Sequence, residues 1–267
     1  MDSPTDISEQ EHRDASETAL LGADDPPPVD IVNRDARAPL FLLCEHAGQA
    51  IPKALNNLGL SQDHINQHIG WDIGAEALAR YVANALGSPL IIQRYSRLVI
   101  DCNRPPGSEG SIPGISDSVP VPGNVGLGQK DHNRRRQSIF DPMNDAITRM
   151  FQDHPRRAVF SIHSFTPQFQ GVLRPWDAGF LTRNDTDTAG QLMAHIGESD
   201  PSLTLGLNEP YQIDDASDWF IPRHAEARDM RHCLIEVRND HLRDEAGIAR
   251  WGALLADAIA GVMEQLP

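Results

Sequence analysis

Apolar residues recur along the chain in two alternating rhythms. Short runs of strand length, Leu40 to Glu45, Leu90 to Arg94, Arg97 to Cys102, Ala158 to His163, Ala178 to Thr182 and His232 to Val237, alternate with segments whose apolar positions return every three or four residues. Those helical segments are Ser61 to Gln67, Asp72 to Leu86, Gln129 to Gln152, Asp187 to Ile196, Asp218 to Ala227 and Glu245 to Gln265. In Asp72 to Leu86 the residues Ile73, Ala77, Leu78, Tyr81, Val82, Ala85 and Leu86 form one stripe, and Gly87 with Pro89 beyond it ends the helix. The alternation predicts an α/β domain in which helices flank a central, mixed and mostly parallel sheet. Between Pro105 and Gly128 neither rhythm is present. That stretch is dense in Gly, Pro and Ser and predicts a long irregular loop, placed to cover whatever Arg104 touches.

Composition changes the picture at the N-terminus. Residues 1–38 hold ten acidic and three basic side chains and the run Pro26-Pro27-Pro28, too little apolar surface to offset the entropy of ordering. They predict a disordered acidic tail, with one domain over residues 39–267 and no loss of activity on deletion before Pro39. The whole chain of 267 residues carries a formal charge of −15. Such acidity argues against nucleic-acid binding, which needs clustered cations to neutralise phosphates. The one basic cluster, Arg134, Arg135 and Arg136, predicts a solvated helix face. No apolar run approaches the roughly 20 residues of a membrane span, and the N-terminus has no signal-peptide pattern, so a cytoplasmic protein without a membrane partner is expected. Cys44, Cys102 and Cys233 lie in apolar runs without C-x-x-C spacing and read as buried, reduced thiols.

Candidate chemistry gathers at strand ends. Cys44-Glu45-His46, Asp101-Cys102-Asn103-Arg104 and Ser161-Ile162-His163-Ser164 close three of the predicted strands with polar residues, and ligands of open α/β sheets collect beyond the carboxyl ends of strands. His46, Arg104 and His163 are thus candidates for one site: an imidazole pair suited to a metal and a guanidinium suited to an anion. Glu236 sits among Leu234, Ile235 and Val237, where a carboxylate is costly to bury unless paired or functional. Asp72 reads from periodicity as a helix N-cap. His64, His68 and Asp72 are spaced i, i+4, i+8 but Gly70 interrupts them. A Cys44 nucleophile would need contact with an imidazole, and Ser164 has no G-x-S-x-G context.

Five of these segments, taken in order, resemble the N-formylglutamate amidohydrolase family. They are Leu43-Cys44-Glu45-His46-Ala47-Gly48 with Ile51-Pro52; His68 to Ala75; Ser96 to Pro105; Ser161 to Pro167; and Ile235 to Asp240. The resemblance covers about Pro39 to the C-terminus and implies a zinc carboxypeptidase-like, phosphorylase/hydrolase-like fold. It also implies Zn2+, or another divalent metal, bound by His46, Asp72 and His163, with Glu236 as general base. The familiar H-x-x-E spacing is absent, because Gln49 stands three residues beyond His46; Asp72 is therefore the implied acidic ligand and Glu45 the reserve. Asp101-Cys102-Asn103-Arg104 resembles a D-x-N-R motif whose Arg holds a substrate carboxylate. That makes Arg104 the implied clamp, with Arg97 and Asn103 as helpers and Asn208 and Arg238 as further substrate-binding candidates. The implied reaction is hydrolysis of an N-acyl amino acid, above all N-formyl-L-glutamate in a late step of histidine breakdown. Another N-acyl amino acid or a small peptide is the alternative substrate, and a non-catalytic carboxylate binder the alternative class. The oligomeric state stays open.

Overall fold

Four strands carry the centre of the protein, and their side chains alternate cleanly between two faces. The computed structural model describes residues 19–265. Its strands are β1 (Val29–Val32), β2 (Leu40–Cys44), β3 (Leu90–Gln93), β4 (Ile115–Ser116), β5 (Val119–Pro120), β6 (Ala158–Phe165), β7 (Gln168–Phe169), β8 (Val172–Leu173), β9 (Ala178–Leu181), β10 (Leu205–Leu207) and β11 (Arg231–Arg238). Seven of them form one sheet in the order β1-β3-β2-β6-β11-β9-β10. Within it β3-β2, β2-β6, β6-β11 and β9-β10 are parallel, while β1-β3 and β11-β9 are antiparallel. This is the mixed, mostly parallel sheet expected from the alternating pattern. β4-β5 and β7-β8 are separate short hairpins.

On one face Leu40, Leu42, Phe160, Ile162, Cys233, Ile235 and Val237 meet three helices, α2 (Ala75–Leu86), α5 (Thr186–Ser199) and α6 (Glu245–Glu264); the short α1 is Gln62–Ile65, and α3 (Gln129–Arg135) and α4 (Asp141–Asp153) belong to the other side. By length and composition α6 is apolar enough to cross a membrane, an exception to the expected lack of such a segment. Trp251, Leu255 and Ile259 of α6 are nevertheless wholly buried in the core, where each such side chain contributes about 1.5–3 kcal/mol.

The opposite face begins the same way. Phe41, Leu43, Val159 and Leu234 pack beneath Ile139, Phe140, Met143 and Ile147. Toward the carboxyl ends of the strands the alternation places polar residues on this face instead: Ser161 and His163 on β6, Glu236 on β11, and Glu45 in line after Phe41 and Leu43. Leu43 is in register with Ser161, and Glu236 with His163.

Four expectations are corrected. Of the predicted acidic tail, residues 1–18 lie outside the described residues, but the remainder is part of the domain. β1 pairs antiparallel with β3, Tyr95 Oη donates to Pro26 O at 2.6 Å, and Arg156 donates to the carbonyls of Ala36 and Ala38, so a boundary at Pro39 cuts through the sheet. Arg97 to Cys102 is no strand: Leu98, Val99 and Ile100 are buried, but side chains rather than a ladder satisfy their backbone. Asn124 Nδ2 donates to Leu98 O at 2.8 Å and Arg135 Nη1 to Val99 O at 3.0 Å. Arg135 is therefore not on a solvated face; it is 1% exposed and also bonds Asn124 Oδ1 and Gly123 O. The predicted helix Gln129 to Gln152 is α3 and α4 joined by a π turn at Arg136–Phe140, which places Pro142 in the first turn of α4, where its missing N–H is tolerated.

Candidate metal centre and the cavity around it

β2, β6 and β11 lie side by side and parallel, and their carboxyl ends open into a cavity of about 710 Å³. His46 follows the end of β2, His163 lies near the end of β6, and Asp72 lies in the turn before α2, where its backbone N–H donates to His46 O at 2.8 Å. The predicted N-cap role of Asp72 is not realised: Gly74, at φ 83, caps α2, and the Asp72 carboxylate turns inward. There Oδ2 lies 2.9 Å from His163 Nδ1 and 3.6 Å from His46 Nδ1. The two imidazole rings stand edge to face with centroids 4.7 Å apart.

The three donor atoms lie within 4.8 Å of one another and could hold a metal ion. Ligands at 2.0–2.1 Å on a tetrahedral ion are roughly 3.3 Å apart, and the two distances to Asp72 bracket that value. His46 Nδ1 is buried without a hydrogen-bond partner, a costly state that a bound cation would relieve. The far nitrogens are occupied. His46 Nε2 meets Asp101 Oδ1 at 2.7 Å, while His163 Nε2 meets Ser161 Oγ at 2.8 Å and Glu45 Oε2 at 3.2 Å. A carboxylate behind each imidazole fixes its tautomer and raises its basicity, the arrangement that supports metal-ligating histidines. Glu45, the reserve ligand, thus stands behind His163 rather than beside Asp72.

Electrostatics point the same way. Burial alone would raise the Asp72 carboxyl, yet His46 and His163 hold it well below the usual carboxylate range. Burial likewise works against charge on His163, but Glu45 and Asp72 raise its pKa well above the ordinary imidazole value. A pocket with this balance attracts positive charge. Burial pushes the Glu236 carboxyl up to about 7, against the pull of His163 and with a further rise from Asp72. Its Oε2 is buried without a partner, and the residue lines the cavity. Cys44 is no nucleophile in this setting: burial, Asp72 and Glu45 raise its thiol well above the ordinary value.

The substrate-binding candidates separate into three groups. Arg104 lines the cavity, is bonded through Nη1 to Ser217 O at 2.7 Å, and has its Nε 3.9 Å from Asp101 Oδ2. Arg97 and Asn103 also line it but are committed elsewhere. Arg97 bridges Asp101 at 2.9 Å and Asp72 at 3.5 Å, and Asn103 Oδ1 accepts from the backbone N–H of Phe220 at 3.0 Å. Asn208 and Arg238 are not brought to the cavity. Asn208, at φ 55, accepts from Thr182 N at 2.9 Å, and Arg238 pairs with Asp177 and Asp240. His64, His68 and Asp72 do not assemble either: the helix bearing His64 stops at Ile65, and His68 Nε2 bonds Asp117 Oδ2 at 3.0 Å on the predicted loop, which supplies one wall of the cavity.

Compared with known proteins, residues 38–242 match the family model described as N-formylglutamate amidohydrolase. The crystal structure of a gene product from Agrobacterium tumefaciens is 32% identical, with a TM-score of 0.87 over 92% of this chain and 98% of that one. A bacteriophage poly-gamma-glutamate hydrolase matches at 10% identity and TM-score 0.47, over 96% of this chain and 97% of its own. An N-acetylmuramoyl-L-alanine amidase of Nostoc punctiforme matches at 14% and 0.41, over 85% and 97%. No curated protein matches the chain.

Proposed function

The chain belongs to the N-formylglutamate amidohydrolase family and is a hydrolase acting on amide bonds; from that premise we propose that it is a metal-dependent hydrolase of N-acyl amino acids, with N-formyl-L-glutamate, cleaved to formate and L-glutamate, as its first candidate substrate. The observation that carries the metal-dependent reading is the close set of His46 Nδ1, Asp72 Oδ2 and His163 Nδ1 beside the partnerless carboxylate of Glu236. His46, Asp72 and His163 would hold the ion, zinc being first choice for two imidazoles and a carboxylate with a fourth position left open. When bound, such an ion supplies a Lewis acid for the acyl carbonyl and water acidified toward neutrality.

The chain's own residues do the rest. Glu236, with its carboxyl raised to about 7, takes a proton from the attacking water and delivers it to the departing amine nitrogen. Arg104 grips the α-carboxylate through the N–H groups not used on Ser217, which fixes orientation as well as charge. Arg97 acts on the centre rather than on the substrate, holding Asp72 and Asp101 in place. Asn103 anchors the 219–220 backbone, which directly follows the cavity-lining Ser217 and Asp218. Three buried free thiols support the cytoplasm as the working compartment, and a place in histidine breakdown follows if N-formyl-L-glutamate is the substrate.

Amine release from N-formyl-L-glutamate, followed before chelation, after it and after zinc is returned, tests the reading. Turnover that vanishes and recovers is expected. Turnover indifferent to the chelator would contradict a metal-dependent site.

A further inference from the structure

A third guanidinium, after those of Arg97 and Arg104, packs against residues that line the cavity, in a segment the sequence patterns leave unmarked. The β7-β8 hairpin turns through Gln170 and Gly171, both at positive φ, and the chain leaves it through Arg174, whose backbone N–H donates to Pro167 O at 2.9 Å. That bond ties Arg174 to the end of β6, the strand bearing His163. Its Cζ lies 4.8 Å from the ring centroids of both Phe169 and Tyr211 and 5.8 Å from that of Phe165, and Nη1 reaches Thr166 Oγ1 at 3.4 Å. All four of these partners line the cavity.

None of them is an anion. The chain has 38 Asp and Glu against 23 Lys and Arg, so a part-buried arginine held by ring faces and a hydroxyl is out of keeping with its surroundings. Arg97, by contrast, carries two carboxylates, and Arg104 has Asp101 within 3.9 Å. Aromatic faces position a guanidinium without neutralising it as a carboxylate would, which leaves planar N–H donors for a bidentate partner. Arg104 and Arg174 contact different residues of the same cavity lining, Asp101 and Ser217 for the first, Thr166 and the three rings for the second.

We propose that Arg174 is a specificity-determining residue that receives the side-chain carboxylate of a dicarboxylic N-acyl amino acid while Arg104 holds the α-carboxylate. This rests on the reading of the cavity as an N-acyl amino acid site. The same contacts would also serve a plain staple between hairpin and Tyr211 loop, and the test separates the two roles. Arg174→Met keeps an apolar stem against the rings and removes the charge.

Two measurements decide the matter: kcat/KM for N-formyl-L-glutamate and N-formyl-L-glutamine, and, independent of turnover, calorimetric affinity for L-glutamate and L-glutamine. With Arg174→Met the glutamate substrate loses roughly 10- to 100-fold, the range for a hydrogen bond between charged groups, mainly through KM. The glutamine substrate changes by less than about threefold on the same scale, and Arg174→Lys recovers part of the loss. Equal losses for both substrates would reveal a staple, and no loss for either would also overturn the assignment. Should the wild type hydrolyse neither substrate yet bind L-glutamate over L-glutamine in an Arg174-dependent way, the hydrolytic reading fails and the Arg174 assignment stands. Equal affinity for the two amino acids in the wild type overturns the assignment whatever the turnover.

Discussion

His46 turns its Nε2 onto Asp101 Oδ1 at 2.7 Å, and this contact decides which of its nitrogens faces Asp72. Asp101 is itself held by Arg97 at 2.9 Å and accepts the backbone N–H of Asn103 at 2.9 Å, so the orientation of His46 depends on a segment 55 residues away. Asp101→Asn keeps the shape but removes the charge that makes the imidazole a strong donor. Metal affinity should fall by about 10- to 100-fold, the usual cost of losing such a supporting carboxylate. Competition against a graded chelator checks this, and unchanged affinity would show that the backing carboxylate is irrelevant.

Glu236 makes a different demand. Glu236→Gln retains the size of the side chain and leaves the three donor atoms untouched, so metal content should stay at the wild-type level. Turnover should drop by roughly 10²- to 10⁴-fold, the scale of general acid–base catalysis. A variant that loses metal and activity together would place Glu236 among the ligands instead.

The strand hidden in the acidic N-terminal stretch predicts the outcome of a truncation. Removing residues 1–38 strips β1 from β3 and leaves Arg156, 8% exposed, without the carbonyls of Ala36 and Ala38. Thermal unfolding should move down by more than about 5 °C, which for a domain of this size corresponds to roughly 2 kcal/mol. An unshifted transition would mean that β1 adds nothing to stability.

Acid sensitivity should trace in part to Asp185, the N-cap of α5. Burial alone would raise its carboxyl, but Thr188 Oγ1 at 2.7 Å, the backbone N–H of His232 at 2.9 Å and Arg231 at 2.9 Å hold it below the usual value. Its folded pKa is thus depressed. The stability it contributes is complete above the unfolded value of about 3.9 and is lost as pH falls through the folded one. Asp185→Ala should cost about 1 kcal/mol at neutral pH and flatten the decline of stability below about pH 4. Denaturant titrations at pH 7 and pH 3 measure both, and equal losses at the two values would contradict the assignment.

What could be read from the sequence follows the range of the interactions concerned. Strands β2, β3, β6, β9 and β11 and the long helices announce themselves by local periodicity. The polar endings that suggest His46 and His163 are visible because apolar runs stop abruptly there. β1 escapes notice because Val29, Ile31 and Val32 are diluted by acidic residues and follow three prolines, and its pairing partner is about 60 residues on. Arg97 to Cys102 reads as a strand because its burial is real, while the side chains that replace the ladder, Asn124 and Arg135, come from another part of the chain. Glu45 could have been placed: it continues the alternation of Phe41 and Leu43 onto the face that bears Ser161 and His163. No local pattern reveals the contact of Asp101 with His46 or of Arg174 with Tyr211, since both depend on where distant loops cross.

The central claim is that His46, Asp72 and His163 bind one divalent ion. Metal analysis of the purified chain after exposure to zinc and removal of excess, set beside His163→Ala and Asp72→Ala, tests it most directly. About one ion per chain in the wild type, falling toward zero in both variants, is the result expected from the three donors gathered at Asp72 Oδ2. A wild type that binds no ion, or variants that retain it in full, would contradict the account.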